Sequence, residues 1–157
     1  MSAAFDAVSA RRSLRTRWAG SWQTLSTIGR IVFAQLLIRF VPLRRWRGSL
    51  GQLRGVPAPD AGVPGASREA RARARRVERA AARLPIHSKC LPRAMALQWM
   101  MRDLRQASTL VIAVRRGHRE DDPHNFHAWV EQGGEMIIGQ CDRSEYSPIM
   151  ALALPGN

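Results

Sequence analysis

Two segments near the C-terminal end, FHAWVEQ (126–132) and EMIIGQ (135–140), are joined by only Gly133-Gly134. Apolar and polar residues alternate along the first segment, the period-two signature of a strand with one buried face. A two-residue Gly-Gly connection suits the tight turns of an antiparallel hairpin, which need positive φ at their central residues. These 15 residues (126–140) thus commit the C-terminal half to an antiparallel sheet. TLVIAVR (109–115) supplies a further strand, and a short strand or helix is expected around Ile149 to Leu154.

The hairpin also carries a candidate for chemistry. Alternation places His127, Trp129 and Glu131 on one face and Phe126, Ala128 and Val130 on the other. A histidine held in a strand is fixed firmly, as a general base must be, although a lone buried histidine is more often structural. With the glycines as the turn, Trp129 faces Ile138 and His127 faces Gln140. The Gln140 amide would then accept the imidazole N–H, and Asp142, the diagonal neighbour, would bring a full charge to the same face. A small register change or bulge exchanges those roles.

The partner for such a base lies 37 residues earlier. In HSKCLPRAMALQ, Cys90 begins a helix expected from Leu91 to about Gln106, with Ala94, Leu97, Met101 and Leu104 on one face. Pro92 suits the first turn, where a missing N–H costs little. A cysteine there meets unpaired backbone N–H groups and the positive end of the helix dipole, both of which favour thiolate. The structural alternative is a small buried hydrophobe. Cys141 follows a strand with no helix behind it, so packing is its expected role.

The N-terminal half differs in character. Residues 1–83 hold 17 arginines against Asp6, Asp60, Glu69 and Glu78, whereas residues 84–157 balance eight basic with eight acidic side chains. The net charge of +13 therefore belongs entirely to the first half, which can attract an anionic partner or simply solvate a helix face. From Trp22 to about Arg47 the periodicity is helical, ended or kinked by Pro42, and its wide apolar face can lie on a membrane surface as well as pack on the domain. Residues 48–66 are rich in Gly and Pro and read as a linker. Ser67 then caps a second helix whose apolar seam is Ala70, Ala74, Val77, Ala81 and Leu84, stopped by Pro85. The expected division is a basic helical arm with linker over 1–66 and an α+β domain over 67–157.

Several classes are disfavoured. Two cysteines make no disulfide framework, and residues 1–18 show no early apolar run of a secretory signal. The longest apolar stretch, Ile31 to Val41, is interrupted by Gln35 and Arg39 and is too short to span a bilayer. A cytoplasmic location is the expectation, with packing of residues 22–47 on the domain favoured over the alternative of peripheral membrane contact. His118 and His124 have zinc-like spacing, but no paired cysteines accompany them in their polar loop, so no metal is expected.

Taken together, CLPRAMALQWMMR, LVIAVRR, HAWVEQGGEMIIG and SEYSPIMAL resemble the B protein of lasso peptide biosynthesis, over about Arg71 to Leu154. More narrowly they resemble its stand-alone peptidase form, which has a transglutaminase-like, papain-like fold. The resemblance implies a leader peptidase with Cys90 as nucleophile, His127 as base and an Asp as third member. This chain reads Gly139-Gln140 where that Asp can stand, leaving Gln140 or Asp142 for the role. It further implies a precursor peptide as substrate, a separate leader-recognition protein, an asparagine-synthetase-like cyclase downstream, and no cofactor. The rival readings are another acyl transfer on the same core, or a non-catalytic basic nucleic-acid binder. Against the last, the charge is confined to the helical half and no nucleic-acid motif is visible.

Overall fold

The computed structural model describes residues 22–55, 65–85, 88–117 and 125–156. Helix α1 spans 22–40, followed by the short α2 (Leu43–Trp46) and strand β1 (Gln52–Arg54). Helices α3 (Arg68–Ala81) and α4 (Cys90–Asp103) precede β2 (Ser108–Arg115), β3 (Phe126–Gln132), β4 (Glu135–Ile138) and β5 (Tyr146–Leu154). The strands form one antiparallel sheet in the order β1-β5-β2-β3-β4, with the helices making this an α+β fold, as expected.

α3 begins where expected. The Ser67 hydroxyl accepts the Ala70 N–H at 3.0 Å, a cap worth about 1 kcal/mol. Its seam of Ala70, Ala74, Val77, Ala80 and Ala81 is buried, the small side chains letting α4 approach closely. α4 departs from the single apolar face read from sequence. Pro92, Ala94 to Gln98, Met100 and Met101 are all buried, because α3 covers one side and the sheet the other. Its one buried amide, Gln98, donates to Leu50 O at 2.9 Å and Leu152 O at 3.0 Å, and accepts from the Ser108 hydroxyl. Helix, β1 approach, β2 and β5 are tied at that point.

Two sequence expectations are corrected in detail. The stretch read as a linker carries β1, which pairs with β5 through Gln52↔Ala153 to Arg54↔Ala151, while Leu50 is fully buried. Residues 56–64, the rest of that stretch, lie outside the described residues, as do 1–21 and the loop holding His118 and His124. Ile31 and Ala34 of α1 enter the same core cluster as α3, α4 and the sheet. The tail is a nine-residue strand rather than a short element, with a register shift that places Pro148 where a lost N–H is tolerated. Among the described residues, no helix is long and apolar enough to cross a membrane.

Candidate active site

The turn of the hairpin is the one expected: Gly133 and Gly134 have φ +55° and +72°. Beyond it the register departs from the simple one. Gln132 faces Glu135 and Glu131 faces Met136, but Val130 faces Ile138, so an extra residue is accommodated in β4. β4 pairs with β3 only at Val130, Glu131 and Gln132. The edge of β3 at 126–128 is consequently left without a strand neighbour on that side.

The first turn of α4 fills this gap. Cys90 Sγ lies 3.9 Å from Phe126 O, and the Ala128 and Leu91 N–H groups favour its thiolate. The His127 imidazole stands beside the thiol in the same cleft and acts on it electrostatically. Burial by itself pushes the Cys90 thiol up. The His127 hydrogen bond and charge, with the two backbone N–H groups, more than reverse that, leaving it below the ordinary thiol value. His127 moves the opposite way, raised chiefly by its hydrogen bond to Cys90 against the lowering effect of burial.

His127 Nε2 lies 2.9 Å from Gly139 O. A carbonyl only accepts, so Nε2 carries the hydrogen, and Nδ1 is the nitrogen left for the thiol. The ring is packed against Tyr146, centroids 5.2 Å apart, and Trp129 at 6.1 Å.

The third member is where sequence and structure part. Gln140 is exposed, and its amide donates to Met136 O at 2.6 Å instead of meeting the histidine. Asp142 caps the short 3₁₀ turn at Arg143–Glu145, accepting from the Ser144 N–H at 2.9 Å and hydroxyl at 2.7 Å. Those bonds to Ser144 hold its carboxyl below the usual range. The extra residue in β4 explains both: it rotates the Gly139 carbonyl toward His127 and carries the next side chains past it. Gly139 could have been found from sequence only by foreseeing that bulge. It has φ +77°, and a Cβ there would meet Ala128 O at 2.5 Å, so glycine is required.

A cleft of about 470 Å³ opens over the pair, lined by Glu78, Ser88, Arg93, Ile137 and Gln140 among others. Arg93 spans the α4 start, donating to Ser88 Oγ at 3.1 Å and to Glu78 of α3 at 3.2 Å. Cys141 is half-buried against the cluster of Val111, Ala113 and Trp129, and burial pushes its thiol up. Among the described residues no three His, Cys, Asp or Glu side chains are grouped to hold a metal ion.

A thiol at a helix start beside an oriented imidazole can perform nucleophilic acyl chemistry. No curated protein and no solved structure matches the chain. A family model does match, over residues 34–151, beginning inside α1 and taking in the Cys90–His127 pair. The chain belongs to the transglutaminase-like superfamily.

Proposed function

We propose that the chain is a cysteine peptidase that cuts the leader from a ribosomally made precursor of the lasso type. The observation that carries the chemistry is the placement of Cys90, at the start of α4, and His127 in one cleft, with one ring nitrogen of the histidine fixed by Gly139 O. The Cys90 thiolate adds to the scissile carbonyl, and the Cys90 N–H at the positive end of α4 stabilises the oxyanion. The imidazolium gives its proton to the departing amine as the C–N bond breaks, leaving a thioester. Water then loses a proton to His127, adds to the thioester and releases the new carboxyl group, restoring the thiolate–imidazolium pair.

The surroundings suit an extended chain. The cleft continues into a second of about 340 Å³ between α3 and β4, sharing Glu78, Ile137 and Gln140 with the first. Arg71, Arg75 and Arg79 line this extension. Arg71 is held by Glu135, whereas Arg75 and Arg79 pair with no carboxylate among the described residues, so an acidic stretch of leader or recognition protein fits there by charge. The assignment to leader removal, the separate recognition protein and the cyclase rest on the sequence resemblance.

Incubation with a precursor and its recognition protein, read by mass spectrometry, tests the reading. Hydrolysis yields two fragments carrying together one added water, while a new amide without that water would favour acyl transfer. Cys90→Ala and His127→Ala should each remain folded and leave the precursor intact. Cleavage by Cys90→Ala would refute the assignment.

A further inference from the structure

Helix α1 has two apolar faces. Thr27, Ile31 and Ala34 are buried on the inner one. On the opposite side, Trp22, Leu25, Phe33, Leu36 and Phe40 are each at least 50% exposed, with Phe33 at the edge of the stripe, its ring 5.8 Å from that of Trp99 in α4. At helical spacing these five fall in one arc of roughly 100°, the width of a stripe made for burial. A contiguous exposed stripe of this size marks an interaction surface.

The charge around it selects the occupant. Between Asp6 and Asp60 there is no carboxylate and there are ten arginines. Arg39 and, just past the helix, Arg44, Arg45 and Arg47 are exposed. Any partner must therefore be apolar and anionic together. One flank of the stripe adds a built feature: a pocket of about 290 Å³ lined by Trp22, Ser26, Arg30, Arg73, Arg76 and Asp103, among others. Arg30 Nη2 donates to Asp103 at 2.8 Å, but its Nη1 is buried without a hydrogen-bond partner. Arg73 reaches Glu69 only at 3.4 Å. Three guanidinium groups thus share a pocket with one carboxylate, an excess of positive charge that suits a phosphate.

We propose that α1 lies with its outer face on an anionic phospholipid surface, apolar side chains in the headgroup boundary and a lipid phosphate in the Arg30–Arg73–Arg76 pocket. A protein partner would need an acidic rim around an apolar groove, whereas an anionic bilayer presents both everywhere and supplies the phosphate. Arg73 and Arg76 line this pocket, while Arg71, Arg75 and Glu78 line the peptide cleft, so docking leaves the active site open. The proposal is independent of the peptidase reading.

The test is co-sedimentation of the full chain with vesicles of phosphatidylglycerol and phosphatidylcholine in equal parts, against phosphatidylcholine alone. The chain should pellet with the first and stay in solution with the second. Leu25→Glu with Leu36→Glu should abolish pelleting, and Arg73→Gln with Arg76→Gln should weaken it on the order of tenfold. Both double variants should keep the wild-type alkylation rate of Cys90, which separates lost docking from lost fold. If the leucine variant misfolds, Phe40→Glu, at the exposed end of the helix, replaces it. Three results would overturn the proposal: equal binding to neutral vesicles, undiminished binding by the folded variants, or no vesicle binding with a dimer that the leucine variant dissolves.

Discussion

The two cysteines make a controlled comparison inside one molecule. Both are half-buried, both sit beside the hairpin's strands, and the Cys90 charge is felt at Cys141. Yet Cys90 is lowered and Cys141 raised from the ordinary thiol value. Burial opposes ionisation at both sites. At Cys90 an imidazole and two backbone N–H groups answer it; at Cys141 the Arg143 charge is outweighed by burial together with Asp142, Glu131 and Cys90. Reactivity is thus set by what points at the sulfur, and exposure is a poor guide to it.

The largest effect should be in alkylation. At pH 7, where an ordinary thiol is only a few per cent thiolate, iodoacetamide should modify Cys90 on the order of tenfold faster than Cys141. The sign follows from the shifts: Cys90 ionises below the ordinary range and Cys141 above it, so the ratio should narrow as pH rises. Peptide mapping at successive pH values reads this directly. In His127→Ala, the Cys90 profile should move up toward that of Cys141, because burial is then opposed only by the backbone. Equal rates at pH 7 in the wild type would remove the distinction.

A smaller effect should come from Gly139→Ala. The positive φ and the contact with Ala128 O should cost about 1–3 kcal/mol, seen as a lower Tm, and the displaced carbonyl should raise the Cys90 alkylation profile. A wild-type profile in the folded variant would show that this carbonyl does not orient His127.

Gln140→Ala and Asp142→Asn should do least, changing cleavage no more than about twofold, as exposed substitutions usually do. A loss approaching about 10⁴-fold, the scale of a removed triad carboxylate, would instead give the third role back to a side chain.

Much of this arrangement was legible in the sequence because it is written in local signals. The Ser67 cap, the glycine turn, the alternation along 126–132 and the cysteine at a helix start each depend on a few neighbouring residues. β1 was hidden because its three exposed residues show no apolar alternation and owe their strand geometry to the edge of β5. The extra residue in β4 was equally invisible: nothing in EMIIGQ marks where the ladder slips, and one residue of slip replaces the Gln140 side chain with the Gly139 main chain.

That replacement changes what mutation can reach. A side-chain acceptor can be deleted by one codon; a peptide carbonyl belongs to whatever residue stands there, provided the backbone keeps its path. The hydrogen bond that fixes the imidazole is therefore inherited through the shape of the strand end. A carbonyl also brings a dipole where an aspartate would bring a full charge, so the imidazolium is balanced mainly by its own thiolate. Chains built this way can drift at positions 140 and 142, and a search for a third conserved side chain would pass them by.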